Sequence, residues 1–124
     1  MKVTEAGENY LEAILIIGER QETVHAVDIC TELGFSRPTV SEMLKTLRSS
    51  GFITVDDENH IHLTPSGKSV AEKIYERHSV IASMLVSIGV DDKTAHEDAC
   101  KMEHDISALT FACIKKYVDR LDLK

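Results

Sequence analysis

Residues 28–41, with the sequence DICTELGFSRPTVS, predict the end of one helix, a tight turn and the start of a second helix. Gly34 suits the left-handed conformation in which many helices end. Ser36 can cap the following helix, and Pro38 is tolerated in a first helical turn because its missing N–H leaves no hydrogen bond unmade there. We therefore expect a helix-turn-helix, with its first helix over residues 26–33.

The flanking segments extend this motif in both directions. Apolar residues recur at helical spacing after a cap at Thr4 and continue to Gly18, which predicts a helix before the motif. After the motif, the β-prone runs 52–55 and 60–63 flank the polar turn 56–59, which predicts a hairpin. A hairpin that directly follows a helix-turn-helix is typical of the winged helix-turn-helix.

The remainder of the chain has helical patterns alone. A long helix is expected to begin at residues 64–67 and to end at Gly89. Two shorter helices follow, the first capped by Asp91 or Asp92 and the second by Ser107. The predicted fold is therefore mainly α, with a winged helix-turn-helix lobe followed by an all-helical lobe.

The composition excludes several classes of protein. With 124 residues, of which 43% are hydrophobic, the chain can bury the core of one compact domain or of two small lobes. It has no long apolar run and no secretory signal, so we expect a cytoplasmic protein without a membrane partner. Its three cysteines, Cys30, Cys100 and Cys113, are widely spaced and odd in number, which favours a reducing compartment over a disulfide framework.

The formal net charge of −7 argues against nucleic-acid binding unless positive charge gathers on one surface or a cation binds. Such charge does gather on the second helix of the motif, whose first turn would face base edges and phosphates. A helical hairpin without a DNA role is the alternative. Glu42 could accept a hydrogen bond from a cytosine amino group, although a merely exposed glutamate is the simpler interpretation. The candidate DNA-contacting residues are Ser36, Arg37, Pro38, Thr39, Ser41, Glu42, Lys45 and Arg48.

A second group of residues points to a metal site. Cys100, Glu103 and His104 stand at positions i, i+3 and i+4, which lie on one face of a helix. A thiolate, a carboxylate and an imidazole together suit iron, zinc, cobalt or manganese better than calcium or magnesium. Taken alone, the three residues are more often a solvated Glu–His pair beside a core cysteine.

Four motifs resemble, in order and spacing, those of the metal-dependent transcriptional repressors typified by the diphtheria toxin repressor and the manganese transport regulator. They are ENYLEAI at residues 8–14, LTPSG at 63–67, ERH at 76–78 and ACKMEH at 99–104. The resemblance implies a homodimeric, metal-responsive repressor that binds double-stranded operator DNA and takes no small-molecule substrate. The metal ligands that it implies are Asn9, Glu12, His78, Cys100, Glu103 and His104.

The resemblance also implies how these ligands are shared and which metals they take. Six ligands could form two adjacent sites with Glu103 as the bridge. Relatives have methionine or aspartate at the position of Asn9, so the neutral amide here is expected to weaken that side of the centre. Cys100 is a soft ligand, and the expected activating metal is Fe(II) or Mn(II), with a slight preference for iron; Zn(II) or Co(II) could bind in vitro. His96 could add a ligand, and a surface role is its simpler interpretation.

The implied division of the chain assigns DNA binding to residues 1–64, whose first helix also supplies metal ligands, and metal binding and dimerisation to residues 65–124. Longer iron-type relatives continue into an SH3-like domain. Since this chain ends at Lys124, we expect a short form that dimerises through its last helices and part of the first. Metal would order the first helix and set the spacing of two recognition helices for successive major grooves. The expected function is repression of metal-ion homeostasis genes.

Two other functions stay open. A winged-helix regulator that responds to a small molecule instead of a metal would share the fold. A metalloenzyme is the weaker alternative, because HEDAC at residues 96–100 resembles the start of a zincin motif but has a cysteine in place of the second histidine. No nucleophile or oxyanion donor is evident beside it, so we expect no enzyme activity.

Overall fold

The computed structural model describes residues 3–121 and has a mainly α chain with one small β-hairpin. The predicted fold class is confirmed, since the helices and strands follow one another in the expected order. The elements are α1 (Glu5–Arg20), α2 (Ala26–Leu33), α3 (Arg37–Ser49), β1 (Ile53–Val55), β2 (Ile61–Leu63), α4 (Pro65–Ser87), α5 (Asp92–Met102) and α6 (Ala108–Arg120). Within residues 3–121, no helix combines the length and the apolar character that a membrane span requires.

The chain forms two compact units, Met1–Glu72 and Lys73–Lys124, each with a hydrophobic core of its own. Helix α4 begins in the first unit, because Ala71 is fully buried in the core of that unit. The division by packing therefore falls inside α4. The division by function at residue 64 stays a prediction.

Local capping interactions start the helices of the first unit where the sequence predicts. The Oγ1 atom of Thr4 accepts a hydrogen bond from the amide of Gly7 at 3.0 Å. Gly34 ends α2 in the left-handed conformation, with φ 74°. Ser36 caps α3 by accepting from the amide of Thr39 at 3.4 Å. Because each cap joins residues only three positions apart, these helix starts depend on the local sequence.

The core of the first unit is built from one apolar face of each helix and from the hairpin. Leu11, Ile29 and Val40 are fully buried, one each from α1, α2 and α3. Ile53 and Ile61 add side chains from the two strands. Burial of an aliphatic side chain of this size contributes about 1.5–3 kcal/mol relative to an exposed one. This core therefore holds α3 and the hairpin on a common, rigid base.

The hairpin pairs β1 and β2 in antiparallel register, with Ile53 opposite Leu63 and Val55 opposite Ile61. Its strands are only three residues long, and hairpins of that size are marginal on their own. The amide of Ile61 donates to the carbonyl oxygen of Val24 at 2.8 Å, which attaches β2 to the segment that follows α1. The hairpin is thus stabilised by its contacts with the rest of the unit.

Asp56 organises the turn of the hairpin. Its carboxylate accepts hydrogen bonds from Nε2 of His62 and from the amides of His60 and Glu58, each at 2.9 Å. These bonds, foremost the one from His62, lower the pKa of Asp56 to about 2. A carboxylate whose pKa is lower in the folded than in the unfolded protein stabilises the fold above its unfolded pKa, and this contribution is lost as the pH falls through the folded pKa.

We expect acidification from about pH 4 to about pH 2 to weaken the hairpin, and Asp56→Asn to remove that part of the pH dependence. Thermal unfolding and the NMR amide shifts of residues 53–63 across this range measure the effect. Asp57→Asn removes the same charge from the exposed neighbouring residue and is the matched control. If the stability of the wild type and of Asp56→Asn falls equally steeply as the pH decreases, this role of the carboxylate is contradicted.

The second unit consists of the rest of α4 together with α5 and α6. Ile81 and Ala99 are fully buried at its centre. Of the two predicted caps for α5, Asp91 is the one used: it accepts from the amide of Thr94 at 3.0 Å, and this bond lowers the pKa of Asp91. Ser107 caps α6, as the sequence predicts.

Candidate metal centre

Glu103 is a fully buried carboxylate, with 0% of its surface exposed. Helix α5 brings it inside, because Ala95 and Ala99 are also fully buried and lie eight and four residues before it. Residues four apart share a helix face, and alanine allows close packing there. Glu103 therefore continues the buried face of α5 with a charged group.

Two imidazoles flank this carboxylate. Nδ1 of His78, on α4, is 3.0 Å from Oε2 of Glu103. Nε2 of His104 is 3.4 Å from Oε1, and the His104 side chain is only 2% exposed. The second unit thus brings together three of the residues expected as ligands, and it does so without crossing into the other unit.

The arrangement suits a cation. Among residues 3–121, Oε1 of Glu103 is buried and accepts no hydrogen bond; Nε2 of His104 at 3.4 Å is an ion-pair contact only. An unsatisfied buried polar atom costs about 1–3 kcal/mol, and more when it is charged. A divalent ion would compensate that cost, and a carboxylate between two imidazoles is a donor set for iron, manganese or zinc.

His96 is a further histidine beside this group. Its Nδ1 atom lies 3.0 Å from Nε2 of His78, and the two rings stack with their centroids 5.2 Å apart. With Glu103 as an acceptor, Nδ1 of His78 donates, and the other nitrogen of a neutral ring then accepts from His96. From the sequence, His96 could be either a ligand or a surface residue. In the structure it is exposed, and it contacts the expected ligand His78 directly.

Of the three residues predicted to share one helical face, Glu103 still closes a helical turn, because its amide donates to the carbonyl oxygen of Ala99 at 2.9 Å. Helix α5 ends at Met102, Glu103 is its C-cap, and His104 lies in the turn that follows. His104 directly follows the C-cap, so its contact with the Glu103 carboxylate joins two neighbours in the chain. Cys100 is an exposed residue of α5, one turn before Glu103.

The two remaining expected ligands lie on α1 in the first unit. Glu12 is buried, with 9% of its surface exposed, and Asn9 is half-buried. They are three residues apart and so share a face of α1. A buried carboxylate such as Glu12 is stable in a protein only with a charged or hydrogen-bonding partner.

The candidate DNA-contacting residues all lie on the outside of the first unit. Val40 and Leu47 are buried and define the face of α3 that packs against the core. The opposite face presents three basic side chains and one acidic one, so it is locally positive on an acidic chain. All eight candidates are exposed, namely Ser36, Arg37, Pro38, Thr39, Ser41, Glu42, Lys45 and Arg48.

Comparison with known families matches the two parts of the chain separately. Residues 2–61 match the N-terminal DNA binding domain of the iron dependent repressors. Residues 64–123 match the iron dependent repressor metal binding and dimerisation domain. The two matches follow in order and leave only residues 62–63 between them.

Curated relatives are transcriptional regulators and not enzymes. The transcriptional regulator MntR of Salmonella typhimurium is 38% identical over 99 residues, which cover 80% of this chain and 60% of that protein. MntR of Escherichia coli O157:H7 is 31% identical over 113 residues, 91% of this chain and 73% of the relative. The diphtheria toxin repressor of Corynebacterium diphtheriae is 30% identical over 101 residues, 81% of this chain and 45% of the repressor.

Solved structures agree with these matches. The manganese regulator SloR superposes with a TM-score of 0.82 at 28% identity over 96% of this chain, and ScaR with bound Zn2+ with a TM-score of 0.76 at 25% identity over 91%. The chain spans 55% and 53% of those two proteins. From these matches and the architecture above, the chain belongs to the family of iron-dependent repressors.

Proposed function

We propose that this chain is a homodimeric repressor of metal-ion homeostasis genes, which binds operator DNA in the cytoplasm when Fe(II) or Mn(II) is bound. The observation that carries the proposal is the buried carboxylate of Glu103, which has an imidazole on either side and one oxygen without a hydrogen bond. Such a group is costly in a protein that never binds a cation. The family to which the chain belongs supports the same conclusion.

The proposed ligands divide by unit. His78, Cys100, Glu103 and His104 come from the second unit, and Asn9 and Glu12 come from α1. A bound divalent ion would supply a positive partner for Oε1 of Glu103, which has no hydrogen bond among the described residues. The chain's own contribution is the 3.0 Å hydrogen bond that joins the two proposed ligands His78 and Glu103.

The donor types support iron or manganese without separating them. Carboxylates and imidazoles suit both metals, whereas the thiolate of Cys100 shifts the preference toward iron, cobalt or zinc. Asn9 offers a neutral amide oxygen, which is a weaker ligand than a carboxylate. We therefore propose Fe(II) or Mn(II), with a slight preference for Fe(II), and with Zn(II) and Co(II) as usable probes.

Exposed apolar side chains support a homodimer. Leu109 is 75% exposed, Ile88 is 66% exposed and Tyr117 is 46% exposed, all in the second unit. The cost of leaving them in water is removed if a second copy covers them, and homodimer interfaces are more apolar than the average surface. Sedimentation at micromolar concentration measures this association.

The function is tested by titrating the purified protein with Mn(II) and, without oxygen, with Fe(II), and by following its binding to duplexes selected from random DNA. We expect binding to a selected duplex to rise with one or both metals and to fall again with a chelator. Equal binding with and without metal would instead favour the metal-independent regulator that the sequence left open.

Arg37→Ala is expected to weaken binding to the selected duplex about tenfold or more, because Arg37 is exposed in the first turn of α3, where backbone N–H groups also attract an anion. Metal affinity, measured by calorimetry, should stay unchanged. Arg20→Ala removes the same charge from α1, where Arg20 pairs with Glu32, and is the matched control. If both variants bind the duplex equally well, α3 does not enter the DNA as proposed.

A further inference from the structure

We propose that Arg77 is a positioning residue of the metal centre: its guanidinium holds the backbone from which Glu103 and His104 project. This inference rests on the proposed function, since it concerns how the proposed ligands are held. Arg77 stands directly before His78 on α4 and is half-buried. It is not itself a ligand, because a guanidinium offers only donors.

The contacts of Arg77 bracket the turn that follows α5. Its Nη1 atom donates to the carbonyl oxygens of Glu103 and Ile106, both at 3.1 Å. The last carbonyls of a helix have no partner within the helix, and positive charge is favourable at that end. Here one side chain from α4 supplies both the donors and the charge, so the turn carrying His104 is held at both of its ends.

Consecutive residues of α4 therefore hold two different parts of Glu103. His78 bonds the carboxylate at 3.0 Å, and Arg77 bonds the backbone carbonyl of the same residue at 3.1 Å. With its main chain and its side-chain end both attached to one helix, Glu103 has little freedom to turn away. The two attachments therefore fix the position of Oε1, the oxygen that has no hydrogen bond.

Arg77 also reaches α6. The central carbon of its guanidinium lies 5.2 Å from the centroid of the Phe111 ring, which is a cation–π distance. A second connection between α4 and α6 runs beside it, the ion pair of Glu76 with Lys115 at 2.8 Å, which raises the pKa of Lys115. Both groups of that pair are largely exposed, and such pairs contribute little to stability. Lys115 therefore provides a matched control for the loss of a cation that joins α4 to α6.

The experiment titrates the full chain with Co(II) without oxygen and records calorimetry and the visible absorption of the bound ion. Arg77→Met should raise the Kd for Co(II) about 10–100-fold, the range typical of losing a group that orients a ligand, and should change the absorption spectrum. Lys115→Met should keep the wild-type Kd and spectrum. Thermal unfolding of each variant without metal identifies a temperature at which all of them are folded. Binding is measured at that temperature, so that a weaker affinity for Co(II) is not caused by unfolding.

The outcomes are distinguishable. If the wild type binds no Co(II), the proposed metal function fails and this inference with it. If the wild type binds and folded Arg77→Met has the same Kd and spectrum, Arg77 is only structural and the inference is overturned. If Arg77→Met does not fold, Arg77→Lys is used in its place. The shorter, non-planar cation of lysine should raise the Kd for Co(II) about threefold or more. A wild-type Kd and spectrum for Arg77→Lys would also overturn the inference.

Discussion

Replacement of Glu103 by glutamine is expected to abolish metal-stimulated DNA binding and to leave the metal-free protein folded. The carboxylate stands between His78 and His104, and it is the proposed bridge between two sites. Loss of a group that only orients a ligand costs about 10–100-fold in metal affinity, so loss of the shared ligand should exceed about 100-fold.

The metal-free protein should tolerate this change. Glutamine keeps the volume of the side chain and an oxygen that can accept from His78, and it removes a charge that the core holds at a cost. We therefore expect the thermal midpoint of the metal-free variant to equal or exceed that of the wild type, whereas the stabilisation by added metal disappears.

Calorimetry with Mn(II) and anaerobic Fe(II) checks the first effect, and thermal unfolding with and without metal checks the second. Glu97→Gln removes an exposed carboxylate from α5, the helix that Glu103 caps, and is the matched control, with metal binding expected at the wild-type level. Full metal stoichiometry and affinity in the Glu103 variant would rule this residue out as a ligand.

Gly67→Ala is expected to destabilise the first unit by about 1–3 kcal/mol, although alanine ordinarily stabilises a helix relative to glycine. Gly67 lies in the first turn of α4, where an added Cβ would stand 2.0 Å from the carbonyl oxygen of Phe52. That oxygen cannot easily move, because it accepts from the amide of Thr64 at 3.1 Å, while the Phe52 amide donates to Leu47 at 3.0 Å. Either the helix or the end of the hairpin must shift.

Urea unfolding measured by circular dichroism tests this expectation. Gly18→Ala is the matched control: Gly18 is also inside a helix, and its added Cβ would meet only a Val24 methyl at 3.9 Å. We expect Gly18→Ala to stabilise the protein by about 0.5–1 kcal/mol, so the two glycines should respond with opposite signs. Equal unfolding midpoints for Gly67→Ala and the wild type would show that the contact between the added Cβ and the Phe52 carbonyl is relieved without loss of stability.

The elements of the fold were predictable because their signals are short-range. Ser36 and Asp91 each accept from the amide three residues further on, and the order of helices and hairpin followed from such caps and from apolar spacing. The predicted end of α1 at Gly18 was too early. Nothing in the structure forces a turn there, and the Gln21 amide closes the last turn on Ile17 at 3.0 Å.

The residue types of the proposed ligands could also be predicted from the sequence, because they belong to short motifs and do not depend on the tertiary structure. The spacing of Cys100, Glu103 and His104 predicts one helical face, and the helix reaches Met102 with Glu103 as its C-cap. Their type and spacing pointed to a metal, whereas their arrangement around one carboxylate depends on the turn after α5.

Sequence patterns over three or four positions were thus enough for the helix order, the caps and the residue types of the centre, since hydrogen bonds and apolar stripes of that span form within a single element. The burial of Glu103, its bond to a histidine 25 positions earlier, and the hold of Arg77 on carbonyls 26 and 29 positions later arise only when helices pack. The same holds for the close approach at Gly67. Such contacts depend on which surfaces come together in three dimensions, and no local periodicity specifies that.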